Sequence, residues 1–496
     1  MAEDDIQEAK TPDQIWEDDL LGRREEAEFL IRFIDGVVAN PGPGREGQGF
    51  TIGIDAGYGE GKTFFLTRLE QHLKIDHSVA FIDAWADDLA DQPLAALLAT
   101  LKSAIEPKLK NKIIRDRWNS FLKKGGEVAK IAALGAMKRG LGLVITNAMV
   151  GSLGKVISNP SEDFKARTAD ATQNLTLDVL DGTAAQLNLS HPMDAKIKDF
   201  NEGKAALEAA KASLADLAKS LGNKKPIVII IDELDRCRPT YAIKLLEEIK
   251  HMFDVQGVVF IFGLYADQLG HSVRGAYGPT FDGHAYLQRF INRRYNLGSN
   301  KKIEFICAHL EKLKIPQLKI RHLDRGRNLG ENHNITCDLS SIIRNYADIF
   351  SLSARDIEQI ISHIEDSTRS YESHFIILEY YLPLLVAFIK SIEIGELWRL
   401  SKDSSWEFLV DHPNKTYLSP REIFNKYQNL INCSQSELDN IYDNNVKINR
   451  ESGSGYSGVS DIMLENFERS NQNNPNNSLT RMSNYINLIN NLSRLQ

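Results

Sequence analysis

Three glycines, a lysine and a threonine crowd into one short stretch of this chain: Ala56-Gly57-Tyr58-Gly59-Glu60-Gly61-Lys62-Thr63. Phosphate oxygens are held by backbone N–H groups that converge from successive residues. Convergence needs backbone conformations that glycine adopts without steric cost, and Gly57, Gly59 and Gly61 supply them. Lys62 brings an ammonium to the β- and γ-phosphates, and the Thr63 hydroxyl can ligate Mg²⁺. Ala56 stands at the first position of the motif, where its carbonyl and small size suffice. The expected nucleotide-binding segment therefore runs from Ala56 through Phe64, with Tyr58 and Glu60 inside it.

A second constellation lies far downstream. Ile227-Val228-Ile229-Ile230-Ile231 is followed by Asp232-Glu233-Leu234-Asp235-Arg236-Cys237. Asp232 ends the apolar run, where a carboxylate can hold a magnesium shell. Glu233 is placed to polarise an attacking water, as a general base must be. Asp235 and Arg236 read as a local ion pair that shapes the turn.

Both motifs need a particular scaffold. The β-branched run 227–231 reads as a parallel strand buried on both faces, and ligands of open α/β sheets bind at the carboxyl ends of such strands. Phe50-Thr51-Ile52-Gly53-Ile54 is the strand before the glycine loop. A helix should begin near Gly61 and run through Phe64, Phe65, Leu66 and Leu69, turning its N-terminal dipole to the phosphates. The stretches 78–85 and 257–263 supply further strands, the latter ending at Leu264-Tyr265-Ala266-Asp267. Asp267 is read either as a sensor on the γ-phosphate side or as a helix cap. Strands alternating with helical stretches predict a mostly parallel α/β sheet.

At 496 residues the chain should hold two or three domains. The net charge of -8 offers no general argument for nucleic acid. The residues 102–139 are locally basic, however, and anionic lipid or nucleic acid remains open for 102–130. The four cysteines, Cys237, Cys307, Cys337 and Cys433, form no close metal-ligand pair. The twelve histidines are scattered. Without an apolar run after a basic start, the expected location is the cytoplasm, with peripheral contact at the inner membrane as the variant.

Several of these residues together resemble the KAP P-loop NTPases, in the STAND-like branch of additional-strand ATPases. Asp232-Glu233-Leu234-Asp235-Arg236-Cys237-Arg238-Pro239 is similar to the family's Asp-[Asp/Glu]-Leu-Asp-Arg-Cys-x-Pro signature. Phe81-Ile82-Asp83-Ala84-Trp85 resembles its Phe-Asn-x-Trp strand, with Asp83 where Asn is usual. Tyr277-Gly278 with Tyr286-Leu287-Gln288-Arg289-Phe290-Ile291, Ser353-Ala354-Arg355-Asp356-Ile357, and the amino-terminal Asp18-Asp19-Leu20-Leu21-Gly22-Arg23 match further family elements. The likeness covers roughly residues 18–365.

The resemblance implies a P-loop NTPase core on a mostly parallel α/β sheet, ATP and Mg²⁺ as cofactors, and slow hydrolysis that drives a conformational or assembly switch. It places a lid arginine at Arg355; Arg289, Arg293 and Arg294 are candidates for a finger acting across a subunit interface. The partners it implies are ATP and a further copy of the chain or an effector protein. It also implies association with phage defence or mobile elements. The expected division is an acidic tail 1–17, a core 18–300 with a helical insertion 102–195, a helical lid 301–370, and a helical region 371–496 that includes a loose Asn/Ser-rich segment 447–480. Relatives often carry membrane helices in the insertion. Here the apolar stretch 140–154 is short and flanked by Lys138, Arg139 and Lys155, which predicts a soluble hairpin or a peripheral contact over 131–157 rather than a span. Two other readings stay open: a membrane-associated scaffold that binds nucleotide and barely hydrolyses it, and a DNA-interacting motor.

Overall fold

The computed structural model describes residues 10–40, 48–90, 93–138, 192–221, 225–250, 255–298, 302–313, 320–321, 335–370, 376–400, 408–410, 416–419, 421–425, 428 and 489. The membrane-contact segment beyond Lys138, the polar excursion as far as 191 and the Asn/Ser-rich stretch 447–480 lie outside them. Contacts divide the chain into two units. The first comprises 1–17, 24–56 and 62–297; the second comprises 18–23, 57–61 and 298–496.

The first unit opens with two helices, α1 (Pro12–Ile15) and α2 (Arg23–Ala39), whose first residue Arg23 belongs to the second unit. Then follow β1 (Phe50–Asp55), α3 (Lys62–Leu73), β2 (Ser78–Asp83), α4 (Ala84–Asp87) and α5 (Pro93–Ile105). Two long helices come next, α6 (Lys112–Lys138) and α7 (Pro192–Ser220). The unit closes with β3 (Ile227–Asp232), α8 (Pro239–Ile249), β4 (Val258–Leu264), α9 (Ala266–Tyr277), α10 (Gly283–Leu287) and β5 (Arg293–Asn296).

The sheet order is β2-β3-β4-β1-β5, and every pairing is parallel. All five strands therefore end at one edge, where the two motifs emerge. β4 lies between the glycine-loop strand and the acid strand, which is the additional strand of the resemblance. Central burial explains the composition: every residue of β3 and β4 is buried. One face packs on Phe65, Leu66, Leu69 and Leu73 of α3 with Leu30 and Ile34 of α2. The other packs on α5, α7, α8 and α9 through residues such as Leu101, Leu217, Leu246 and Leu269. The edge strand β5 exposes Arg293 and Arg294, whose charge discourages further strand pairing.

The long helices α6 and α7 pack on each other. Arg117 Nη1 pairs with Asp216 Oδ2 at 2.7 Å, and Trp118, Phe121, Leu214 and Leu217 are buried beside them. A residue near the start of α6 thus meets one near the end of α7, as in an antiparallel hairpin. No helix among the described residues is long and apolar enough to cross a membrane.

The second unit contains α11 (Lys302–Lys312), β6 (Ile320–Arg321), α12 (Ile335–Ile349), α13 (Ala354–Ser370), β7 (Ile376–Ile377), α14 (Leu378–Ile389), α15 (Ile394–Leu400), β8 (Phe408–Val410) and β9 (Thr416–Leu418). Ile357, Ile360, Ile361 and Ile364 form the apolar stripe of α13 and meet α12 and α14 in one core. Pro383 sits inside α14. Its neighbours Leu382, Leu384 and Leu385 are buried, and that burial outweighs the missing backbone bond.

Candidate active site

α3 starts at Lys62, directly after a loop in which Gly59 and Gly61 both take φ +80°. An L-residue with a side chain would be strained at either position. Space makes a second demand at Gly59. A Cβ there would come within 2.6 Å of Arg355 Cβ and 2.8 Å of Ser353 Oγ. The Arg355 amide donates to the Gly59 carbonyl at 3.2 Å.

Arg23 braces the same loop from the amino-terminal motif. Its buried guanidinium donates to the Glu60 carbonyl at 2.7 Å and also to the Gly298 carbonyl. Gly22, at φ 74°, makes the bend that precedes it. Burial raises the Glu60 carboxyl above its ordinary range, against the pull of Lys302 and Arg23. Within the second unit, Arg23, Ser353 and Arg355 thus surround residues 57–61. Sequence reasoning missed the part played by Arg23 and Ser353.

Lys62 and Thr63 meet the acid motif within the first unit. Lys62 Nζ pairs with Asp235 Oδ1 at 3.0 Å, and both side chains are buried. The Thr63 hydroxyl donates to Glu233 Oε1 at 2.8 Å. The expected Asp235–Arg236 ion pair is therefore corrected. Asp235 turns inward to the buried ammonium, and Arg236 pairs with Glu233 Oε2. Three residues apart across the 3-10 turn Leu234–Arg236, Glu233 and Arg236 lie one above the other.

Each remaining residue of the motif has a physical task. Asp232 is buried, and the Glu233 amide donates to its Oδ1 at 2.8 Å. Glu233 sits at φ 60°, the left-handed region, at the head of the turn. Leu234 is fully buried. The Cys237 thiol lies 3.5 Å from the Glu233 carbonyl as its donor, and burial pushes that thiol up to about 12, so it stays protonated. Arg238 forks onto Asp88, with its Nε 2.9 Å from Oδ1 and its amide 3.0 Å from Oδ2. Pro239 opens α8 at its first turn, where a missing N–H costs nothing.

Asp232 Oδ2 is buried and meets no hydrogen-bond donor among the described residues. Burial raises its carboxyl above the ordinary range, and the Glu233 amide opposes that only in part. A desolvated carboxylate with an unused oxygen beside a threonine hydroxyl fits a magnesium ion, which takes few protein ligands and keeps its waters and phosphates. Gly263 on β4 makes the room. A Cβ there would lie 2.3 Å from Asp232 Oδ1 and 2.4 Å from Leu66 Cδ1. The signal in the sequence was a glycine between Phe262 and Leu264, since glycine inside a buried strand marks a close approach.

Other candidates fall elsewhere. Asp267 lies in the first turn of α9, is exposed, and sits 3.9 Å from His284. The cap reading fails because Tyr265 holds the N-cap position. Arg289 and Arg293 are exposed, and Arg294 lies 3.6 Å from Asp55 at the end of β1. Arg355 is exposed at the start of α13. Its neighbours on the helix have other partners: Asp356 pairs with Lys390 at 3.0 Å, and Glu358 lies 3.5 Å from His309.

A parallel sheet with the glycine loop and the acid strand separated by one strand defines an additional-strand P-loop NTPase, a nucleotide-binding class. The KAP family P-loop domain matches residues 23–371, and the chain belongs to that family. Among curated proteins no relative matches it.

Proposed function

We propose that this protein binds ATP with Mg²⁺ and hydrolyses it slowly, and that the cycle drives a conformational or assembly switch. What carries the reading is the meeting of Lys62, Thr63, Asp232 and Glu233 within one unit, at the edge where all the strands end. Lys62 exchanges Asp235 for the β- and γ-phosphates. The amides from Gly57 to Gly61 receive phosphate oxygens, and the neighbouring Tyr58, Glu60 and Phe64 complete the segment. Thr63 and Asp232 hold the metal, and when bound it neutralises charge that develops on the phosphates. Glu233 orients the attacking water and takes its proton. Arg355, tied through its amide to Gly59, is the proposed lid arginine. The same-chain charge on the γ-phosphate would come from it.

The switch, rather than bulk turnover, is supported by the loop's attachments. Gly59 and Glu60 are bonded to Arg355 and Arg23, so an event at the phosphates is felt by residues of the helical region. A role in phage defence or a mobile element rests on the family resemblance alone. So does a partner that is another copy or an effector.

Glu233→Gln tests the chemistry. With the carboxylate gone, hydrolysis should be lost while Mg-ATP binding persists. Undiminished hydrolysis in that variant would remove Glu233 as the base.

A further inference from the structure

Glu233 is held on both oxygens. Oε1 accepts the Thr63 hydroxyl at 2.8 Å, and Oε2 is ion-paired with Arg236. The first contact is compatible with catalysis, because a hydroxyl that donates its proton keeps lone pairs for a metal. The second is not, because a base must present an oxygen to water.

Arg236 is the more exposed member of that pair. Its side chain is 37% exposed, against 9% for Glu233. It also has somewhere else to go. The guanidinium carbon lies 5.9 Å from the centroid of the Trp85 ring, and Trp85 is 56% exposed, unusual for so large an apolar side chain. An ion pair open to water and a cation over an exposed aromatic face are both modest interactions. In the one position seen, the guanidinium makes both contacts at once. Asp235, which could have claimed the guanidinium, is committed to Lys62.

We propose that Arg236 is a positioning residue that restrains Glu233, and that the Trp85 ring is the seat onto which it withdraws when the base is released. This inference rests on the reading of Glu233 as the base and adds its control. The restraint is local: the Arg236 amide donates to the Glu233 carbonyl at 3.1 Å, and that closure brings the cation to the carboxylate three residues back. Trp85 follows β2 and Asp83, whose side chain caps α4 by accepting the Ala86 amide at 3.0 Å. The seat is therefore fixed by the strand next to the acid strand.

Steady-state ATP hydrolysis by the full chain tests the proposal, with kcat and KM separated. Arg236→Ala should raise kcat threefold or more and leave KM within twofold. Arg236→Lys, which keeps a cation, should restore part of the restraint. The double variant Arg236→Ala with Glu233→Gln should show none of the gain. Trp85→Ala removes the seat and should lower kcat. Thermal melts of Arg236→Met, which keeps an apolar stem on Trp85, identify any loss that is only unfolding. An unchanged or lower kcat in folded Arg236→Ala and Arg236→Met overturns the restraint. If wild type still turns over in that case and Glu233→Gln does not, Glu233 stands as the base. If wild type and every variant bind ATP without turnover, both readings fail together.

Discussion

The ammonium of Lys62 lies 3.0 Å from Asp235 Oδ1, with 8% of the lysine side chain and none of the aspartate side chain exposed. A residue of the glycine motif and a residue of the acid motif thus neutralise each other inside the first unit. On the proposed function, a phosphate arriving at the loop would compete with Asp235 for the same cation. Opposite charges at this separation interact strongly in a medium poorer than water, and either one left alone in the interior is expensive.

Asp235→Ala should therefore destabilise the protein by roughly 3 kcal/mol, the typical cost of breaking a buried ion pair from one side. Nucleotide should recover part of that loss, because phosphate gives Lys62 a new partner. Thermal melts with and without Mg-ATP check this. The stabilisation by Mg-ATP should be larger in the variant than in wild type; equal shifts would mean that Asp235 and phosphate do not compete.

Gly263→Ala should act on the metal. The added methyl falls 2.3 Å from Asp232 Oδ1 and 2.4 Å from Leu66 Cδ1. One of the two must move, at a cost of about 1–3 kcal/mol for overpacking. The Mg²⁺ concentration for half-maximal hydrolysis should rise severalfold. A metal titration of the variant is the measurement.

Gly59→Ala should weaken nucleotide binding at least tenfold. Its φ of +80° costs a residue with a Cβ about 1–2 kcal/mol, and the methyl would also meet Arg355 Cβ at 2.6 Å. Fluorescent-nucleotide titration reads the affinity. Gly125 offers the control, since a Cβ there meets nothing within 4 Å.

Much of this architecture could be read from residue types. Buried β-branched runs marked β3 and β4, and the glycine spacing marked the loop and the start of α3. Asp235 was misread because neighbours in sequence suggested a pair, whereas the 3-10 turn sends Asp235 and Arg236 in different directions. The pairing of Asp235 with Lys62 crosses 173 positions, and no local rule anticipates it. Arg23 was read only as the last residue of the amino-terminal motif; its bonds to the Glu60 and Gly298 carbonyls depend on tertiary structure. Gly263 was visible as an anomaly in its strand, but its partner Asp232 was not.

Acidity should weaken the second unit through His363. Its ring is buried against Phe388, with ring centroids 6.0 Å apart, and burial lowers its pKa below the ordinary value, opposed weakly by Asp366. Above about 6.5 the imidazole is neutral in both folded and unfolded chains and contributes no slope. As pH falls below that value the unfolded chain gains a proton that the folded one resists, so stability declines until the lowered folded pKa is reached. His363→Leu should flatten denaturant stability as pH falls below about 6.5, relative to wild type.

Calorimetric titration of the full chain with Mg-ATP, wild type against Lys62→Ala, addresses the central claim most directly. The account predicts saturable binding to wild type and a loss of roughly hundredfold, about 2.8 kcal/mol, without the ammonium. Equal affinity in the two proteins would contradict it.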